Sequence, residues 1–415
     1  MSHIIFHIDV NSAYLSWTAV EQLKNGADVD IRTIPAIIGG DRESRHGIVL
    51  AKSPSAKKFG IRTGEPVVNA FRKCPNLHMD PPNHRMYREY SRRLMDFLKT
   101  YTPEIEQVSV DECYMDFTGI AQRFSSPVEA AYEIKAQVYE KFGFTVNVGI
   151  STNKLLAKMA SDFEKPNRVH TLFPEEVKEK MWPLPVSELF MAGKSSVAIL
   201  EKLEIRTIGE LAKTDPKLLE FHLKSHGRTL WEFANGIGDA KVQSEETAAK
   251  GVGNSTTLPK DVKKAEDAKK VLFSLAESVG KRLRKAGQKA NMVSVEIRYS
   301  DFQNVSHQKQ LGRASGADQV IYEAACSLFD ELWNGKPIRL LGVRTAKLVD
   351  EPEQLSLFDL QFEVKSEKPK KSMEKLKKLS AAMGEIRGKY GADAVIRGSV
   401  LEQREKEKKY EKKQF

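Results

Sequence analysis

Ser109-Val110-Asp111-Glu112-Cys113-Tyr114-Met115-Asp116 sets two adjacent carboxylates immediately before an apolar run. The segments around it decide the fold. Glu104–Ser109 and Cys113–Phe117 have strand composition and are close enough to pair as a hairpin around the acids. Arg85–Tyr101, before the hairpin, shows helical spacing through Met86, Tyr90, Leu94, Phe97, Leu98 and Tyr101. After it, Pro127–Phe142 reads as a helix, Thr145–Ser151 as a strand and Lys154–Phe163 as a helix. The chain opens with a buried-type strand, Ile4–Val10, followed by a helix over Tyr14–Lys24 with Ser12 available as its N-cap. Leaving aside the Gly- and Pro-punctuated stretch between that helix and Arg85, the order is β-α-β-β-α-β. This is the order of the ferredoxin-like split βαβ, in which the first strand lies beside the central hairpin. Asp9 and Asp111 then come to neighbouring strand ends although 102 residues separate them.

From Pro174 to about Asn235 short helical patterns are broken by Gly193, Gly209, Gly227 and Gly236, which predicts a small helical domain, and Gly236–Gly253 reads as a linker. A second α/β module follows, with helices over Lys264–Ala286 and Asp318–Trp333 and strands over Met292–Tyr299, Val305–Leu311 and Ile338–Leu348. It too fits a ferredoxin-like order. Beyond Val349 the composition turns acidic, then apolar, then strongly basic.

The 415 residues suffice for two to four domains. Cys74, Cys113 and Cys326 lie far apart with no CxxC pair, so neither a disulfide framework nor a zinc site is expected. No basic leader and no uncharged apolar stretch near the ~18 residues of a membrane helix is present, and mean hydropathy is −0.44. A soluble cytoplasmic protein is expected. The net charge of +10 suits a polyanionic partner, but residues 365–415, with 16 basic and 8 acidic side chains, supply +8 of it. Any basic groove in the body must therefore come from segregated charge.

Asp9, in Ile8-Asp9-Val10-Asn11, and Asp111-Glu112 carry the chemistry. Acids often end strands or cap helices, so neither half is specific alone. Together, at the ends of adjacent strands, they suit hard divalent ions. Phosphoryl transfer gains from two such ions ~3.5–4 Å apart, one activating the attacking hydroxyl and one neutralising the leaving group.

The segments I-D-V-N-S-A-Y (8–14), A-K-K-F-G-I-R-T-G (56–64), S-V-D-E-C-Y-M-D (109–116) and V-G-I-S-T-N-K-L-L-A-K-M-A-S-D-F-E-K-P-N (148–167) together resemble the Y-family of DNA polymerases. The resemblance runs from about residue 4 to about 350. It implies an α+β right-hand fold with a ferredoxin-like palm (1–11 and 76–167), small fingers (12–75) and a helical thumb (168–236). A linker (237–250), a second ferredoxin-like domain, the little finger (251–350), and a clamp-binding peptide with a basic tail (351–415) would follow. The implied activity is template-directed, error-prone addition of deoxynucleotides to a primer 3′ end, past damaged template bases and without a proofreading exonuclease. The implied partners of this monomer are primer-template DNA, deoxynucleoside triphosphates and the bacterial sliding clamp, with no membrane.

By position, the resemblance makes Asp9, Asp111 and Glu112 catalytic and assigns two Mg²⁺ (Mn²⁺ fits equally) to them and the Val10 carbonyl. Tyr14 falls where the family places a steric gate against the ribose 2′-hydroxyl. Asn11, Ser12, Ala13, Lys57 and Lys165 would meet the nucleotide. Gly193, Lys194, Arg298, Lys309 and Arg313 would meet DNA, with Ser255, Thr256 and Thr257 as neutral phosphate contacts. Gln354-Leu355-Ser356-Leu357-Phe358 would dock on the clamp. The chain departs from the pattern at Pro54 and Lys57, where relatives often carry a tyrosine and an arginine, and at Ala13, where they often carry a second aromatic. A palm-type nucleotide cyclase explains the acids but not the remaining domains. A catalytically silent DNA-binding or clamp-associated protein is opposed by the presence of all three carboxylates.

Overall fold

The computed structural model describes residues 3–40, 47–245 and 248–350, with four single positions beyond residue 380. It divides into two compact units, Met1–Glu246 and Thr247–Phe415. In the first, β1 (Ile5–Val10) is buried at all six positions. Asn11 and Ser12 turn the chain into α1 (Ala13–Lys24), which sinks Leu15, Trp17, Ala19 and Val20 into the core. Ser12 has φ 48°, in the left-handed region, and its hydroxyl makes no capping bond. The N-cap role expected of it is therefore not played by its side chain; Ser16 Oγ instead donates to the Asn11 carbonyl at 2.6 Å.

The stretch before residue 84 holds a three-stranded sheet with short helices. Its parts are β2 (Ala36–Gly39), β3 (Val49–Lys52), α2 (Pro54–Lys58), α3 (Val67–Lys73) and β4 (His78–Asp80), with sheet order β3-β2-β4. Strand alternation gives the sheet two buried faces. Ala36, Ile38 and Ala51 join the main core, while Ile37 and Val49 pack with Ala56, Ile61, Val67 and Ala70 in a small core of their own. Strands of three or four residues are too short for their period to show in sequence.

Next come α4 (His84–Leu98), β5 (Ile105–Gln107), β6 (Glu112–Asp116), α5 (Pro127–Phe142), β7 (Val146–Ser151), α6 (Lys154–Asp162) and β8 (Val169–Thr171). The sheet order is β5-β6-β1-β7-β8, with β1 antiparallel to both β6 and β7. The first strand is thus central, as the split βαβ requires. Helix α6 lies so close to β7 that a Cβ on Gly149 would stand 2.0 Å from the Ala157 carbonyl oxygen and 2.4 Å from Ser161 N. The unit ends in α7 (Lys194–Lys202), α8 (Ile208–Lys213), α9 (Pro216–Leu223) and α10 (Ser225–Ala234), whose core of Leu200, Ile208, Leu211, Leu219 and Leu230 is shared with Leu156 and Met159 of α6. Residues after α10 lie along the sheet, with Val242 buried against Ile5, Tyr114 and Ala157.

The second unit comprises β9 (Gly251–Val262), α11 (Ala265–Lys285), β10 (Gln288–Tyr299), β11 (Asn304–Ser315), α12 (Asp318–Leu332) and β12 (Ile338–Asp350). The element order is the expected β-α-β-β-α-β, but the strand order is β11-β10-β12-β9, so here the first strand lies at an edge. Leu272, Ala276, Val279 and Leu283 of α11, with Ile321, Ala325 and Phe329 of α12, cover one face through Val293, Val295, Ile297 and Leu341. Strand β9 falls partly in the expected linker, because Gly251, Gly253, Asn254 and Pro259 hide it. No helix among the described residues is long and apolar enough to cross a membrane, and all three cysteines are free.

Gly149→Ala tests the close approach of α6. Because the blocking atoms are backbone, the substitution is expected to cost about 2–3 kcal/mol, read as a lower urea midpoint at unchanged m-value.

Candidate active site

The β1–β6 register sets Asp9 directly opposite Glu112, and the Val10 amide donates to the Asp111 carbonyl at 3.0 Å. Three carboxylates therefore gather at one end of the sheet. Cations from α6 and the loop after it answer them. Lys165 pairs with Asp9 and, at 2.8 Å, with Asp162. Lys158 bonds Glu112 at 2.9 Å and lies 3.4 Å from Asp162. His7, wholly buried on β1, brings Nε2 within 3.3 Å of Glu112 Oε2, without hydrogen-bond alignment, and shares a 2.8 Å hydrogen bond between Nδ1 and Ser161 Oγ.

The three acids have different electrostatics. The His7 contact and the Lys158 bond, acting against burial, hold Glu112 far below the usual carboxylate range, at about 2. Burial pushes Asp111 up, with the charges of Asp9 and Glu112 adding to the effect and the 2.6 Å bond from Ser109 Oγ opposing it. Burial works against the charge on Lys158 and Lys165, but their acidic partners outweigh it and raise both. Burial lowers His7.

Asn11 organises the loop that carries Lys165. Its Oδ1 accepts from Thr145 Oγ1 (2.9 Å) and from the Asn167 amide (2.8 Å), while its Nδ2 donates to Asn147 Oδ1 (3.0 Å). Asn147 in turn donates to the Ser161 and Glu164 carbonyls at 3.0 and 2.7 Å. The Asn11 side chain is thereby committed, and so is its backbone, the amide donating to the Thr145 carbonyl at 3.0 Å and the carbonyl accepting from Ser16 Oγ.

A cavity of about 400 Å³ lies over this sheet end. Asp9, Val10 and Asp111 form one side, and Ser12, Ala13 and Tyr14 another. Leu50, Ala51, Lys52 and Thr63 of the small-sheet region close it. The Tyr14 ring stacks on Tyr87, with centroids 4.3 Å apart and planes 10° apart, and meets His84 edge-on at 5.9 Å. Its position is thus fixed by packing. Glu112 and Lys165 do not line the cavity, and Lys57 is exposed on α2, outside the lining. Sequence reasoning missed Lys52, Thr63, Lys158 and His7. Lys52 ends β3 on the same side as Leu50, the one signal that singles it out.

In the helical part of the first unit, Gly193 occupies the N-cap position of α7 and Lys194 is exposed beside it. In the second unit, the uncovered sheet face holds a groove of about 850 Å³ lined by Ser255, Ser294, Glu296, Ser306, Gln308 and Arg344, among others. Arg298, whose Nε donates to Asn304 Oδ1 at 2.7 Å, shares strand parity with Ser294 and Glu296 and so faces the same way. Lys309 pairs with Val293 and has the opposite parity, toward the helix-covered face; Arg313 is exposed on β11. Arg344 was not foreseen. Gln354-Leu355-Ser356-Leu357-Phe358 lie outside the described residues.

Residues 8–162 match the impB/mucB/samB family and residues 249–357 match that family's C-terminal domain. DNA polymerase IV of Clostridium acetobutylicum is 48% identical over 407 residues, spanning 98% of this chain and 100% of that protein. DNA polymerase IV 1 of Bacillus subtilis is 37% identical over 412 residues, 98% of this chain and 95% of that one. A solved Y-family DNA polymerase chimera, 24% identical, superposes with a TM-score of 0.73 over 84% of this chain and all of its own. That superposition shows the right-hand α+β fold expected from the sequence. Shared ancestry along nearly the whole length, with the fold and the paired acids in place, means that the chain belongs to the Y-family of DNA polymerases, alongside the bacterial DNA polymerase IV proteins.

Proposed function

We propose that this DNA-directed DNA polymerase extends a primer at the cavity over β1 and β6, copying a template with low selectivity and past damaged bases. The observation that carries the reading is the convergence of Asp9, Asp111 and the Val10 backbone on one side of a cavity whose next wall is Tyr14. Divalent metal ions belong to the chemistry of this family. The donors here are all oxygen, which fits a hard octahedral ion such as Mg²⁺ or Mn²⁺. Among the described residues no three His, Cys, Asp or Glu side chains are grouped to hold a metal. Glu112 is held by Lys158 and His7 and does not line the cavity. In the proposed arrangement Asp9, Asp111, Glu112 and the Val10 carbonyl would hold two ions. Bound there, such ions would ease deprotonation of the primer hydroxyl and offset charge on the departing pyrophosphate.

The chain's own groups supply the rest. Lys165 exchanges Asp9 for the triphosphate, a move that the charge on Asp162 and the fixed loop allow. Tyr14, clamped on Tyr87, presents a rigid edge beneath the sugar and rejects a 2′-hydroxyl by clash. The groove of the second unit and the N-terminus of α7 contact DNA phosphates without reading sequence. The segment Gln354–Phe358, a few residues after β12, tethers the enzyme to the sliding clamp. Neither a nucleotide cyclase nor a silent scaffold accounts for relatives that match from end to end as DNA polymerase IV.

Primer extension with Mg²⁺ on undamaged and abasic templates tests the reading. Asp111→Asn is expected to cut the rate by at least about 10³-fold, the several kcal/mol of charge stabilisation at stake. The same substitution should raise Tm at pH 7. Burial lifts the folded pKa of Asp111 above its ordinary 3.8, so its ionisation costs stability as pH rises past that value. The Tm advantage of the variant should therefore close as the pH falls to 3.8. Template-directed synthesis that survives Asp111→Asn would exclude this site. Tyr14→Ala should lower discrimination against ribonucleotides by at least about tenfold, about 1.4 kcal/mol, measured as the ratio of kcat/KM for deoxy- and ribonucleotides.

A further inference from the structure

Lys52 is a cation where neither the strand pattern nor the family resemblance asked for one. It closes β3 half-buried and lines the same cavity as Asp9 and Asp111. Its ammonium donates to Thr63 Oγ1 at 3.2 Å. Among the described residues it has no carboxylate at ion-pair distance, and the acid that draws on it from farther away, Glu65, is held by Lys73 at 2.6 Å and by the Arg62 amide at 2.8 Å. Burial weakens its charge, and Lys57 weakens it further, so the two ammonium groups sit within each other's field. A partly desolvated cation beside a second cation gains most from a shared anion.

Among the described residues no other lysine or arginine lines the cavity. Lys165 is committed to Asp9 and Asp162, and Lys158 to Glu112 and Asp162, while Asp111 accepts from Ser109 Oγ. Lys52 belongs to neither lysine-carboxylate cluster and lines the cavity. Pro54 and Lys57, on the helix that follows Lys52, stand where the resemblance leads one to expect a hydroxyl and a guanidinium fork, so that donor and that bidentate contact are missing from this chain.

We propose that Lys52 is a nucleotide-binding residue, its ammonium taking the triphosphate of the incoming nucleotide from the small-sheet side of the cavity and, with Lys57, replacing the missing hydroxyl and fork. The proposal rests on the polymerase reading above. A phosphate chain is favoured over a base edge because a compact ammonium with three donors gains far more from a multiply charged anion than from neutral acceptors.

The test uses the full chain as wild type, Lys52→Ala, Lys52→Arg, Lys57→Ala and the double variant, with folding checked by thermal melting and Lys52→Gln held as a second neutral substitution. Lys52→Ala is expected to raise KM for the deoxynucleotide about tenfold, equivalent to about 1.4 kcal/mol, with kcat within about twofold, the pattern of a lost binding contact. Lys52→Arg should recover most of the loss. Affinity for primer-template should not change. Inorganic tripolyphosphate, titrated calorimetrically without DNA, should bind Lys52→Ala about tenfold more weakly than wild type. Unchanged KM and unchanged tripolyphosphate affinity in both neutral variants would overturn the proposal. A raised KM with unchanged tripolyphosphate affinity would overturn it too, by moving Lys52 to the base. Failure of the wild type to extend any primer would instead sink the polymerase reading, and the tripolyphosphate titration would still decide whether Lys52 binds phosphate.

Discussion

Mutual repulsion among Asp9, Asp111 and Glu112 is the constraint around which the first unit is arranged. Antiparallel pairing of β1 with β6 forces Asp9 opposite Glu112, and because β1 is buried on both faces a one-residue slip would exchange its side chains between two differently packed faces. The charge must therefore be answered in place. Helix α6 does so with Lys158, and its following loop with Lys165, while Asp162 lies between the two lysines. The helix reaches that position because Gly149 has no side chain to hold it off β7. Asn11 and Asn147 then tie the loop to the two strands.

The small-sheet side of the cavity obeys a different logic. The small sheet is anchored by strand alternation, one face in the main core and the other over its own cluster. Its edge strand offers Leu50 and Lys52 to the cavity, and the turn before Glu65 offers Thr63. In the proposed reading a nucleotide here meets Asp9, whose lysine must be shared, and Lys52, which among the described residues is bonded to the Thr63 hydroxyl. Phosphate affinity would then change on the small-sheet side while the carboxylates keep their geometry.

How much of this the sequence disclosed follows from element length and from which face of an element matters. Pro127–Phe142 was read to the residue, because its Ser126-Pro127 start and Gly143 stop are both explicit. That β1 lies beside the β5–β6 hairpin was legible from the β-α-β-β-α-β order, whereas its pairing with β7 on the other side was not read from it. By contrast, β2, β3 and β4 are too short to show a period, and β9 is concealed by glycines and a proline. The acids were found by motif, but their partners were not. Lys158 looks like any solvated lysine on an amphipathic helix, and nothing in Phe6-His7-Ile8 marks His7 as a neighbour of Glu112. Ser12 has cap composition, yet its left-handed backbone, which no residue type announces, carries the hydroxyl away. On β11 the two-residue period was available, but the bulge between Ala290 and Met292 in the pairing with β10 leaves the facing of its distal residues undetermined by counting alone.

Charge bookkeeping in the second unit bears on how firmly such an enzyme holds DNA. Its open sheet face presents Arg298 and Arg344, but also Glu296, with serines and glutamines between them. A surface of that composition makes few ion pairs with phosphates, and each pair contributes through counterion release. Neutral hydroxyl and amide donors add position without much affinity. Residues 251–350 carry 17 basic and 11 acidic side chains, a net +6, but the groove lining itself sets Arg344 against Glu296. Under the proposed reading, residence at a primer end is supplied by the docking segment after β12. An extra docking segment raises local concentration without strengthening any single contact. In the proposed reading a sparse grip and a separate tether act together: the first lets distorted template pass, and the second makes the weakness tolerable.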